Sequence, residues 1–201
     1  MASRHGDQTA RMLGRLTLNP IPHIDPVGTI LLPLILAVSG APIIGWAKPV
    51  PVNPNNLRDP KRDMGIVSAA GPLTNLGLAA ICGLILKLAI LAFPVEVTPD
   101  GVIMSGIGQP VILMLIWGIR INVMLAIFNL LPIPPMDGSK VAISVLPMPY
   151  AGWFMRLERY GFLPLMLLFF IPTTNRMIGN IIWPISSALT NFFIEFPAQF
   201  F

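Results

Sequence analysis

The stretch FNLLPIPPMDGSKV, Phe128 to Val141, breaks an apolar run with Pro132, Pro134 and Pro135 and then presents Asp137 beside a glycine. Most Asp-Gly pairs are turns and nothing more. Here the prolines remove backbone donors and stop a helix. That leaves irregular backbone next to a run long enough to cross a bilayer, which is tolerated only where it is buried in protein or lines a wet cavity. A carboxylate in such a place is a candidate site for a metal ion or a proton. Asn129 and Asn75 put two amides at or near the same depth. Each suits a donor to a substrate carbonyl, but spacing alone favours helix-to-helix hydrogen bonding, typically worth about 1 kcal/mol.

Other polar residues are harder to use. Arg120 and Asn122 lie in the middle of an apolar run, and an arginine there needs a partner or a wet face. Lys87 can snorkel toward the end at Pro94. His5 and His23 are 18 apart, and neither has an acid at H-E-x-x-H spacing, where positions i and i+4 share one helix face. They read as loop histidines. The lone Cys82 excludes an intrachain disulfide and a cysteine-based zinc site.

The elements that position these residues are those of a membrane protein. Of 201 residues, 54% are hydrophobic and 11% charged, against about a quarter charged in soluble domains. The mean hydropathy is +0.74. With 22 prolines and 17 glycines, helices must be kinked, short or joined by tight loops. The net charge of +4 sits in a few loops with no aromatic interleaving, which suits a membrane surface and not nucleic acid. Arg4, Arg11 and Arg15 precede no apolar signal-peptide core. Gly6, Asp7, Gly14 and Asn19-Pro20 interrupt any amphipathic transit helix.

The expected fold is an all-α polytopic membrane protein, one integral domain over 1–201, with residues 1–27 as an interfacial, strand-like lead-in. About five apolar segments stand out: Gly28 to Gly45, Met64 to Phe93, Val111 to Leu131, Phe162 to Ile171 and Met177 to Ile194. The first, 18 residues long, is just enough to span. GRLTLN, around Leu16 and Leu18, and KPVPVN, around Val50 and Val52, alternate as strands do and predict a small sheet at the membrane edge. Lys48, Arg58, Lys61 and Arg62 in one loop, and Lys140, Arg156 and Arg159 in another, put both loops in the cytoplasm. If the first segment spans, the Arg-bearing N-terminal stretch falls on the wrong side.

Three blocks in this order, ARMLGRLTLNPIPHIDPVGTILLP, SAAGPLTNL and NVMLAIFNLLPIPPMDG, resemble the site-2 protease family of intramembrane zinc metalloproteases in its bacterial and archaeal branch. The resemblance runs from about Gly6 to Tyr160. It implies a multi-pass protein of the cell membrane that cleaves membrane-embedded proteins, with zinc as cofactor, Asp137 as a zinc ligand, and Asn129 and Asn75 near the substrate strand. It also implies that Asp137 sits at the cytoplasmic-side end of the third segment, with Gly71 to Asn75 close by. The family's H-E-x-x-H, which provides two histidine ligands and the general base, is not among these residues. ASRHGDQTA resembles the stretch just after it, so His5 is not promoted to ligand. One ligand of three is present, and the 201 residues alone are expected to be inactive. A helix ahead of Arg4 would also relieve the topology conflict. Two other readings stand beside this one: a non-catalytic pseudoprotease that binds membrane clients through its strands, and a small transporter using Asp137 for protons.

Overall fold

The computed structural model describes residues 1–40, 43, 45–93, 95–98, 101–104, 107–161 and 163–195. They fall into two compact units, 1–64 and 65–201.

In the first unit, Asp7 is the organising residue. It is buried, and its carboxylate accepts from Thr9 N at 3.0 Å, Asn53 N at 2.9 Å and the Asn56 amide at 3.1 Å. These bonds open helix α1 (Thr9–Met12) and tie it to residues 53–56. Nearby, Asp63 Oδ1 lies 2.9 Å from His5 Nδ1, and Asp63 Oδ2 accepts from Asp59 N.

The apolar stretch after Pro20 does not span. Asp25 caps a π-helical turn, Pro26–Leu31, by accepting from Val27 N and Gly28 N. The turn runs into α2 (Leu32–Ser39), which ends on Gly40 in the left-handed conformation at φ 70°. Together these cover 14 residues, Pro26–Ser39, about 21 Å of helix against about 30 Å of hydrocarbon. The chain then comes back on itself. Trp46 N donates to Gly28 O at 3.0 Å, Thr29 Oγ1 to Trp46 O at 2.8 Å, and Lys48 N to His23 O at 2.9 Å. A Cβ on Gly28 would run into the Trp46 indole, so only glycine allows this return. Residues before 25 and after 46 therefore lie at the same end of a hairpin. The topology conflict expected from a spanning first segment does not arise.

The strands expected around Leu16 to Asn19 and Pro49 to Val52 are not formed. Both stretches are irregular, with Leu16 and Leu18 exposed, and the prolines at 20, 49, 51 and 54 deny them ladder donors. The two described strands lie elsewhere. β1 (Val95–Thr98) pairs antiparallel with β2 (Gly101–Met104), Val95 opposite Met104 and Thr98 opposite Gly101.

The second unit holds the long helices. These are α3 (Pro60–Ala92, which begins in the first unit), α4 (Gly108–Leu130) and α8 (Pro172–Glu195), with shorter α5 (Asp137–Val145), α6 (Met148–Glu158) and α7 (Leu163–Phe170) between the last two. Pro60–Ala92, Gly108–Leu130 and Arg176–Glu195 are each long and apolar enough to cross a membrane, and only 22%, 17% and 11% of their apolar windows are buried. Outward faces this apolar need lipid, which makes the chain a membrane protein; among the described residues three helices are long and apolar enough to span, where about five apolar segments were expected. The core lies where Ala79 and Leu86 of α3 meet Ile119 and Val123 of α4, with Leu189 and Phe193 of α8 packed against them. Small residues set the spacing: a Cβ on Gly118 would lie 3.2 Å from Cys82 Sγ.

Candidate functional site

The break after α4 is built by backbone and proline. α4 ends at Leu130, Leu131 N donates to Phe128 O, and Ile133 N to Leu131 O at 2.8 Å. Pro132, Pro134 and Pro135 have no donor to offer, so the helix cannot continue. Pro134 is fully buried, and the Pro134–Pro135 bond is cis. Met136 N donates to Ile133 O at 2.9 Å, and the chain enters α5 at Asp137.

The glycine beside the acid has a packing reason. A Cβ on Gly138 would collide with the carbonyls of Leu130 and Leu131, so α5 can fold back onto the end of α4 only with glycine there. Ser139 is wholly buried and returns both its N–H and its hydroxyl to Met136 O, at 3.1 and 2.8 Å. Two buried residues thus hold Asp137 at the first position of a helix, where the helix dipole favours a negative charge.

Asp137 itself is half-buried, and its carboxylate makes no hydrogen bond with any described residue. Burial pushes its pKa above the ordinary carboxylate value, and the Lys140 ammonium one turn on partly opposes this. Oδ2 faces α3 at Gly71, where a Cβ would sit 3.4 Å away. The next residue, Pro72, is fully buried and cannot donate to the Ser68 carbonyl. α3 thus meets the acid with a turn that carries no side chain at the point of approach.

The other sequence candidates are placed as follows. Asn75, one turn beyond Gly71, and Asn129, one residue before the end of α4, are half-buried. Neither amide makes a hydrogen bond with the described residues, so the helix-to-helix bond expected for them is not formed. Asn122 instead bonds back along its own helix, donating to Gly118 O at 2.8 Å. His5 is paired with Asp63, and His23 Nε2 lies 3.3 Å from Thr17 O. Among the described residues, no three of His, Cys, Asp and Glu gather as a metal cluster. Lys140 is the contributor that sequence reasoning missed. Its i+3 spacing from Asp137 on a helix was the available signal.

No family model matches the chain, and no solved structure matches it. Curated proteins do. "Putative zinc metalloprotease YwhC" of Bacillus subtilis is 38% identical over 189 residues, 94% of this chain and 78% of its own length. "Putative zinc metalloprotease Rip2" of Mycolicibacterium smegmatis is 30% identical over 90% of this chain and 64% of its own. "Putative zinc metalloprotease MJ0611" of Methanocaldococcus jannaschii is 40% identical over 38% of this chain and 32% of its own. With YwhC matched along nearly the whole chain and over three quarters of its own length, this chain belongs to the site-2 protease-like family of zinc metalloproteases.

Proposed function

We propose that the chain supplies the core of an intramembrane zinc metalloprotease of the site-2 type, with Asp137 as one zinc ligand and Asn75 and Asn129 as donors to the substrate strand. The observation that carries this is the half-buried Asp137 carboxylate, which makes no hydrogen bond with any described residue and has only the Lys140 ammonium, one turn on, to oppose its burial. A half-buried acid without a hydrogen bond is costly to keep, and here it is held rigidly by Gly138 and Ser139. That is the behaviour of a donor waiting for a cation.

A catalytic zinc needs three protein ligands and an open position. Asp137 fits as one. We assign the other two, and the general base, to an H-E-x-x-H helix of the kind the family resemblance implies. When bound, the metal supplies a Lewis acid for a peptide carbonyl and brings the pKa of its water to about 7. The residues of this chain position and hydrate. In this reading the proline break holds Asp137 and admits water, Gly71 leaves room beside the carboxylate, and the Asn75 and Asn129 amides, which bond to no described residue, bind an unwound peptide. The proposed substrate is a membrane-spanning protein and the proposed location the cell membrane, multi-pass, with the basic residues at 48–62 and 140–159 in the cytoplasm. Nucleic acid has no part in it.

The test is metal content and cleavage of a single-span substrate, measured for the 201 residues and for a form extended by an H-E-x-x-H helix. The 201 residues alone are expected to bind no stoichiometric zinc and to cleave nothing. The extended form should gain both properties and lose both on Asp137→Asn. One zinc per chain in the 201 residues, lost on Asp137→Asn, would overturn the ligand assignment and direct attention to His5 and His23.

A further inference from the structure

A second candidate site lies in the span region, between α4 and α8, its lining apolar except for a few polar side chains. Trp117, Arg120, Ile121 and Met124 follow an i, i+3, i+4, i+7 spacing along one face of α4, and Trp183, Ser186, Ser187, Thr190 and Asn191 extend the same rhythm on α8. The two faces border an open groove of about 510 Å³. Arg120 comes twelve residues after Gly108 and ten before Leu130, about 18 Å and about 15 Å along the axis. It therefore sits near the middle of α4.

An arginine at that depth needs company. The Trp117 ring lies 5.5 Å from the guanidinium and takes one of its faces. The in-plane N–H donors are not used by that contact, and no described carboxylate pairs with Arg120. On the facing helix, Ser186 and Thr190 line the same groove, and their hydroxyls make no hydrogen bond with the described residues. Hydroxyls in membrane helices ordinarily serve close packing or bond back along their own helix. These two instead line the groove across from a cation.

We propose that this groove seats a transmembrane helix of another protein bearing one Asp or Glu at mid-bilayer depth, its carboxylate received by Arg120 and by the Ser186 and Thr190 hydroxyls. Charge complementarity selects the carboxylate. Depth selects a helix over a lipid, because phosphates lie at the headgroup level, about half the hydrocarbon thickness away. The proposal needs α4 and α8 in the membrane and does not need the protease reading.

The test reads association, not cleavage. The 201-residue protein labelled at its N-terminus is placed in neutral phosphatidylcholine vesicles with labelled Leu/Ala single-span peptides, identical except for Glu, Gln or Leu at the centre. Energy transfer should show the Glu peptide binding about 3- to 30-fold more tightly than the Gln peptide, the range of polar interhelical contacts in bilayers. Arg120→Gln should erase that preference and leave the Leu peptide unchanged, and Ser186→Ala with Thr190→Val should reduce it. Equal binding of the Glu and Gln peptides to wild-type protein overturns the proposal without recourse to any variant. So does a preference that survives in Arg120→Gln. Arg120-dependent binding of phosphatidylglycerol with no preference for the Glu peptide also overturns it and gives the groove to a lipid phosphate.

Discussion

The carboxylate of Asp137 lies against Gly71, close enough that a Cβ on that glycine would touch Oδ2 at 3.4 Å. A methyl at that distance makes ordinary van der Waals contact, whereas a longer side chain would occupy the space beside the acid. Gly71→Ala should therefore keep the fold, with a helix-propensity gain of about 0.5–1 kcal/mol. Gly71→Leu should fold but lose zinc uptake in the form extended by an H-E-x-x-H helix. Metal content and thermal unfolding, measured on the same samples, separate the two effects. Full zinc occupancy in Gly71→Leu would show that ligands reach Asp137 from another side.

Gly138 is a different kind of glycine. Its missing Cβ makes room for the carbonyls of Leu130 and Leu131. Gly138→Ala should cost about 1–3 kcal/mol, the usual penalty for overpacking. Gly152 in α6 meets nothing within 4 Å, and Gly152→Ala should be neutral or stabilising. Denaturant or thermal unfolding in detergent checks the contrast, and equal effects at both sites would refute the packing account.

Acid should loosen the N-terminal unit. The hydroxyl and N–H of Thr9, Asn53 N and the Asn56 amide hold the Asp7 pKa down to about 2 from 3.8, with burial opposing them. A lowered carboxylate pKa means that the folded unit binds its proton less readily than the unfolded chain. Its stabilisation is fully present above about pH 4 and is lost as the pH falls toward about 2. Amide exchange at Thr9 and Asn53 should accelerate through that window. Asp7→Ala should remove the protection at neutral pH, and Asp7→Asn should flatten its dependence on acid. Protection that stays constant down to pH 2 in the wild type would contradict the role given to Asp7.

The return of Trp46 to Gly28 predicts topology. Leu18 and Asn55 are exposed on either side of the hairpin. In a Cys82→Ser background, Leu18→Cys and Asn55→Cys should react with a membrane-impermeant thiol reagent from the same face of the membrane. Labelling from opposite faces would restore residues 28–45 as a span.

Hydropathy and proline placement by themselves determined a great deal. A bilayer has no water for bare backbone groups, so long apolar runs must be helices. Met64 to Phe93 and Val111 to Leu131 were legible as such, and so was the break that carries Asp137. Length alone could not say that residues 28–45 turn back. That depends on the Trp46 indole filling the space over Gly28, a contact between residues 18 apart. Alternation misled at residues 14–19 and 48–53, because period-2 patterning marks a strand only where a partner strand is at hand. It was overlooked at VEVTPDGVIM, where β1 and β2 pair. The motif could name Asp137 but not say why Gly138 follows it, nor that Gly71 is what it meets. Those facts arise from α5 folding back on α4 and from the approach of α3, contacts remote in sequence that only close packing of the folded chain brings together.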